Sequence, residues 1–339
     1  MDRSIIISGP AFKRGQLLGQ FKGSSIKTLL NHKLKSNPTI SPEQQTYLLA
    51  AKKNIEKYTP VCYEELCGLS QAIEIELVSL LYLSCEYELW MENSRISEKC
   101  TGFITTNQTS PKSELIMGQT NDESPEEWLG GRHDFVCHHT DDKGLRTLIY
   151  THPGIPAYMG MNSAGLVMLW QYIDNGERNL INGVPTTALI REALTYTSLG
   201  DALQFIESVP RTVPNNYILG QSGVGGVNIE CTPTILHKRE IKSGSFCHAN
   251  HILTHEKLKA QDIGRTRTSS TSQVRQEAIE SLVPQTCREL SVEKAKKVLT
   301  TSPVFYDRTL AAMVFAPMDG EMYICFKDSP GNHFRVFQV

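Results

Sequence analysis

The chain has 339 residues, enough for one large domain or two ordinary ones. Apolar residues make up 40% and charged residues 21%, the profile of a globular chain and not of a disordered one. The 34 basic and 36 acidic side chains nearly cancel, so charge gives no case for nucleic acid or an anionic membrane as the main partner.

From the start of the chain, MDRSIIISGP carries an apolar run too short for the core of a signal peptide, and no later stretch approaches membrane-spanning length. Lys13, Arg14, Lys22, Lys27, Lys33 and Lys35 crowd the next segment and read as a solvated face. Ser41-Pro42-Glu43-Gln44 is a capping box with proline at the first helical position, and TYLLAAKKNIEKY continues it with helical spacing. Thr59-Pro60 opens a second helix, and IELVSLLYLSCEYELW reads as a third, buried one.

Near residue 100 the pattern turns to strands. GFITT and ELIMGQ flank a turn-rich segment, and HDFVCHH and LRTLIYTH flank TDDKG. LVMLWQYI, NYILGQ, VNIECTP, TILHKRE, TLAAMVFAP and EMYICFKD continue the series. Helical stretches interrupt it at about Thr186–Ser208, with Ser198 as a cap for its second piece, and at roughly Ser270–Leu299, broken at Pro284. RTRTSSTS at 265–272 reads as a mobile loop. Two stacked antiparallel sheets covered by helices satisfy this order.

Nine unevenly spaced cysteines without a C-x-x-C pair speak for a reducing compartment, with the cytosol as the expected location. Cys100, at the switch from helix to strand, is by itself no more than a small buried hydrophobe. His248, His251 and His255 suit a zinc ion only on a helix, and Phe246-Cys247-His248 reads as strand, so alternate side chains diverge. HHTDD and SGVGG, a metal-like and a phosphate-loop-like run, both read as hairpin turns between strands. No metal is expected.

Several segments in a fixed order resemble the acyl-coenzyme A:6-aminopenicillanic acid acyltransferase family, whose relatives include insect β-alanyl-amine hydrolases. They are IIISGPAFKRGQLLGQ, YEELCGLSQAIEI, MGQTND, YMGMNSAGLVM, the GVPTTALIREALTYTSLGDALQFIESVPR helix pair followed by NYILG, and HANHIL. The resemblance implies an α+β fold, the four-layer αββα sandwich of N-terminal nucleophile hydrolases. It implies cleavage between Lys99 and Cys100, giving a helical segment 1–99 and a catalytic part 100–339. Cys100 takes the nucleophile position, Asp122 the acidic position and Asn250 the oxyanion position. Gln171 falls where relatives often carry an asparagine near the nucleophile. Arg308 stands closer to Thr309-Leu310 than the family's arginine does, and Lys99 replaces a glycine common before the nucleophile.

An N-terminal cysteine needs no histidine. Its α-amine, with a reference pKa near ~8, can serve as base for its own thiol near ~8.5. Asp122 is expected to hold that amine and the Asn250 amide to donate to the oxyanion. The expected activity is hydrolysis of, or acyl transfer to, a small amine through a Cys100 thioester. No cofactor is expected beyond acyl-coenzyme A as a co-substrate, and the partners are a small amide or acyl donor and the chain's own cleaved segment. An uncleaved binding or scaffold protein and a zinc amidohydrolase are the rival readings.

Overall fold

A computed structural model describes residues 3–36, 40–92, 100–107, 114–263, 271–285 and 289–339. Lys99 and most of the 265–272 loop lie outside the described residues.

The first third is helical: α1 (Ala11–Ser36), α2 (Pro42–Tyr58), α3 (Pro60–Ile73), α4 (Leu77–Ser84) and α5 (Glu86–Glu92). The capping box of α2 forms as its sequence dictates: Gln44 N donates to Ser41 Oγ at 3.2 Å and Ser41 N to Gln44 Oε1 at 3.0 Å. The third helix expected at residues 75–90 is two helices, α4 and α5, because α4 closes at Cys85, whose N–H reaches back to Leu81 O. α1 and α3 cross with backbones nearly touching: a Cβ at Gly15 would stand 1.9 Å from Glu65 O, and one at Gly68 2.0 Å from Phe12 O.

The solvated-face reading of the first basic cluster fails for Arg14 and Lys33. Both are buried, because each meets a carboxylate: Arg14 Nε donates to Glu65 Oε1 at 2.8 Å, and Lys33 pairs with Glu86.

Two sheets follow. The first has eight strands in spatial order β1 (Ser4–Ser8), β4 (Phe135–Thr140), β5 (Arg146–Thr151), β6 (Met159–Asn162), β7 (Leu166–Tyr172), β8 (Asn215–Gln221), β9 (Gly225–Cys231) and β10 (Leu236–Ile241). The second has six, β11 (Ser243–His248), β2 (Cys100–Asn107), β3 (Glu114–Asp122), β12 (Thr309–Ala316), β13 (Glu321–Phe326) and β14 (Arg335–Gln338). β1, which the sequence shows only as a short apolar run, enters the first sheet parallel to β4, with Ile5 and Ile7 packed against Phe135 and Cys137. HHTDD and SGVGG are hairpin turns, as read: Asp141 Oδ1 accepts from Lys143 N and Leu145 N, and β8 and β9 pair across Ser222–Val224.

Strand alternation sorts the second sheet into two faces. Ile104, Met117, Met313 and Phe315 join the core between the sheets. Phe103, Ala312 and Val314 meet Ile279, Val298 and Leu299 of α9 (Ser272–Leu282) and α10 (Val292–Leu299) on the other side. α6 (Thr186–Ala193) and α7 (Leu199–Ser208) join α1 and α3 outside the first sheet, and Ser198 caps α7, its Oγ accepting from Asp201 N at 3.0 Å. The order is helices, sheet, sheet, helices. A short α8 (Glu256–Lys259) follows the loop after β11.

Candidate active site

Cys100 is the first residue of β2, at the end of a central strand of the second sheet. It stands opposite Asn121 in the β2–β3 ladder. Directly opposed residues share a face, and residue 102 of the same strand faces the first sheet, since a Cβ at Gly102 would lie 2.5 Å from Gln171 Nε2. The Cys100 side chain therefore points into the space between the sheets. Thr101 takes the other face, toward α9.

The Cys100 backbone is held at both ends. Its N–H donates to Asn250 Oδ1 at 3.1 Å, and its carbonyl accepts from Arg275 Nη1 at 2.7 Å. Asn250 sits in the loop after β11, which is pinned along its length. Ala249 N donates to Gln276 Oε1 at 2.7 Å, Asn250 N to Ser272 Oγ at 2.8 Å and Ile252 N to Asp262 Oδ2 at 2.7 Å. The Glu230 carboxylate takes Leu253 N at 2.6 Å, Thr254 N at 2.9 Å and His248 Nε2 at 3.0 Å. His251 Nδ1 meets Ser272 Oγ at 2.8 Å, and His255 caps α8. The three histidines thus have three separate tasks.

Asp122 ends β3 and is fully buried. Alternation puts it on the α9 side, one residue beyond Asn121 and on the face opposite the Cys100 side chain. Its carboxylate accepts from Thr309 Oγ1 at 2.8 Å and Thr120 Oγ1 at 3.0 Å, and lies 3.8 Å from Arg275 Nη1. Burial pushes its pKa up to about 7, against the pull of Arg275 and the two hydroxyls. The expected partner of the Cys100 nitrogen was Asp122; the group in contact with it is the Asn250 side-chain oxygen. The Asn250 Nδ2 donates to Tyr172 O at 3.0 Å, which commits one of its two hydrogens.

Gln171, on β7 of the facing sheet, lies beneath Gly102, two residues along β2 from the nucleophile position. Its Nε2 donates to Gln119 Oε1 at 2.5 Å and its Oε1 accepts from Asn216 Nδ2 at 2.6 Å, so it stitches the sheets together. Arg308 is exposed, and its carbonyl accepts from Glu123 N at 3.0 Å. Its position at the turn before β12 turns the side chain to solvent.

The buried guanidinium of the site belongs to Arg275 of α9. Besides Cys100 O, it donates to Thr101 Oγ1 at 2.5 Å, Asn250 Oδ1 at 2.8 Å and Thr271 Oγ1 at 2.9 Å. One sequence signal points to it: Arg275, Ile279 and Val283 recur at the spacing of one helix face, and an arginine on an apolar stripe needs a partner. Thr309 was also missed as a member of the site.

Residues 109–330 match the family model described as acyl-coenzyme A:6-aminopenicillanic acid acyl-transferase. The chain belongs to that family. Asp122, Gln171, Asn250, Arg275 and Arg308 fall within the match, and Cys100 stands just ahead of it. A relative named acyl-coenzyme A:6-aminopenicillanic-acid-acyltransferase 40 kDa form, from Emericella nidulans, is 25% identical over 224 residues, 65% of this chain and 60% of the relative. The chain thus spans less than two thirds of that relative's length. The solved structure of the Caenorhabditis elegans N-acylethanolamine-hydrolyzing acid amidase ortholog aligns with a TM-score of 0.50 at 15% identity, over 71% of this chain and 100% of that one. This likeness is one of fold: the αββα sandwich of N-terminal nucleophile hydrolases.

Proposed function

We propose that this member of the acyl-transferase family is a self-processing amide hydrolase or acyl transferase with Cys100 as nucleophile. The observation that carries the reading is the double anchoring of the Cys100 backbone, N–H on Asn250 and carbonyl on Arg275, at a strand start whose side chain faces the inter-sheet space.

In the precursor, Cys100 Sγ attacks the carbonyl carbon of residue 99. The S–C bond forms, the Lys99–Cys100 C–N bond breaks, and the thiol proton passes to the departing nitrogen. Water then cleaves the thioester, leaving a carboxylate on residue 99 and a free amine and thiol on Cys100. In turnover the amine takes the thiol proton as sulfur attacks the acyl carbonyl, and returns it to the leaving amine. Water or an acceptor amine then takes the acyl group. The Asn250 amide is assigned as the donor to the oxyanion.

Segment 1–99 stays bound after cleavage in this reading, since β1 is part of the first sheet and Glu65, paired with Arg14 of its own segment, also pairs with Arg191 of the later part. The family's description names acyl-coenzyme A, which supplies a thioester donor for the transferase direction.

Intact mass of the purified protein tests the proposal. Two fragments, 1–99 and 100–339, are expected for wild type, one chain for Cys100→Ala, and an acyl adduct on the larger fragment after exposure to a substrate. A single wild-type chain after long incubation at neutral pH would support the scaffold reading and end this one.

A further inference from the structure

Asn121 is the cross-strand neighbour of Cys100 and shares its face. Its Nδ2 contacts Tyr150 Oη at 3.2 Å and His152 Nε2 at 3.1 Å. The protons in this network are fixed by Asp134, which is buried beneath it. Tyr150 Oη donates to Asp134 Oδ2 at 2.7 Å, and His152 Nδ1 stands 2.5 Å from Asp134 Oδ1. A carboxylate only accepts, so His152 Nδ1 donates to Asp134 and Nε2 faces the Asn121 amide as its acceptor. The tyrosine, having donated its proton, likewise presents only lone pairs.

Both partners of the Asn121 amide are therefore acceptors, and the amide cannot turn over without placing oxygen against oxygen and nitrogen lone pairs. Trp128 stacks on His152 with ring centroids 4.2 Å apart and holds the imidazole plane. Among the described residues, Asn121 Oδ1 is buried and meets no donor. A buried acceptor without a partner is uncommon and calls for a use. Here it lies on the nucleophile's own face of the strand, in a framework that keeps it an acceptor.

We infer that Asn121 Oδ1 receives the N–H of the nitrogen that leaves from, or attacks, the acyl group on Cys100. The inference rests on Cys100 being the nucleophile. It makes the site selective for substrates bearing a hydrogen on the reacting nitrogen: secondary amides in hydrolysis, primary amines in transfer. Esters and N-alkylated amides lack that hydrogen. Asn121 is then a specificity residue, and His152, Tyr150 and Asp134 position it.

The test compares three probes with one short acyl chain: the p-nitroanilide, its N-methyl derivative and the p-nitrophenyl ester. In wild type the anilide should exceed the N-methyl anilide in kcat/KM by at least about tenfold, the effect of one lost hydrogen bond. In Asn121→Leu, of similar volume, the anilide should lose about tenfold or more while the ester is unchanged. Equal wild-type rates for anilide and N-methyl anilide overturn the inference, and this arm needs no variant to fold. A parallel loss for anilide and ester in Asn121→Leu also overturns it, assigning the residue to structure alone. The ester arm separates the two readings. An acyl adduct on Cys100 in wild type keeps the nucleophile reading whatever Asn121 does, and its absence from every probe ends both.

Discussion

Cys100 N and Asn250 Oδ1 are joined by a 3.1 Å hydrogen bond between residues 150 apart in sequence. The same oxygen takes Arg275 Nη2 at 2.8 Å, and the amide nitrogen reaches Tyr172 O. Asn250 thus ties the second sheet to β7 of the first while contacting the backbone of Cys100.

Loss of Asn250 should act on rate more than on binding. Asn250→Ala is expected to lower turnover by roughly a hundredfold to a thousandfold, the usual cost of one oxyanion donor, with little change in KM. The proposed self-cleavage would pass through a similar oxyanion and should slow with it. Turnover measured per folded, cleaved molecule decides; a near-wild-type value removes Asn250 from the chemistry.

Arg275 places its donors on four separate acceptors, in a pattern set by the planar guanidinium. A lysine ammonium cannot span them. Arg275→Lys should therefore impair processing despite keeping the charge, and Arg275→Met, which strands buried Asp122, should cost about 3–5 kcal/mol of stability. Denaturant unfolding and the cleaved fraction on a denaturing gel check both. Full processing in Arg275→Lys contradicts the positioning role.

Much of this was legible in the sequence where a local signal coincided with the global need. The Ser41 capping box, the Ser198 cap, the break at Pro284 and the two hairpins each rest on chemistry within a few residues. β1 and β14 were not legible, because a short strand is stabilised by the sheet it joins rather than by its own pattern. At the site, Cys100, Asp122 and Asn250 were named through family resemblance and do cluster. Their division of labour could not be read, since which face of β3 carries Asp122 depends on ladder register. Arg308 shows the complementary limit: chain proximity to β12 says nothing of which way the turn points its side chain, which is exposed.

Asp122 supplies a pH signature. Burial raises its pKa to about 7, above the ordinary carboxylate value near ~4 in an unfolded chain. The folded state therefore favours the neutral acid, and the stability this group contributes falls as pH rises from about 4 to about 7, then levels off. Asp122→Asn removes the titration. Melting temperatures of wild type should drop relative to the variant across that window, and the wild-type turnover profile should carry an ionisation near 7 that the variant lacks. Superimposable profiles would exclude Asp122 from control of the site.

The last prediction concerns what keeps segment 1–99 in place. Glu65 of α3 receives Arg14 Nε at 2.8 Å from its own segment and Arg191 Nε at 2.7 Å from α6. Burial acts to raise the Glu65 carboxyl, but Arg191 and His139 together outweigh it and hold the group well below the usual carboxylate range. His139 beside it is driven down to about 4 by burial and by Arg191, so at neutral pH it adds no charge. A depressed carboxyl contributes stability that is complete above its unfolded value and is lost as pH falls toward the folded one. The grip of the segment should therefore weaken below about pH 4. Glu65→Gln leaves two buried guanidinium groups short of a carboxylate and should cost about 3–5 kcal/mol at neutral pH. Because the β1–β4 pairing remains, the variant should still fold and cleave. Size-exclusion chromatography of the cleaved protein in moderate denaturant should release fragment 1–99 from Glu65→Gln at a lower concentration than from wild type. Equal release from both would mean that the strand pairing and the apolar helix contacts suffice, with the ion cluster adding nothing to the junction.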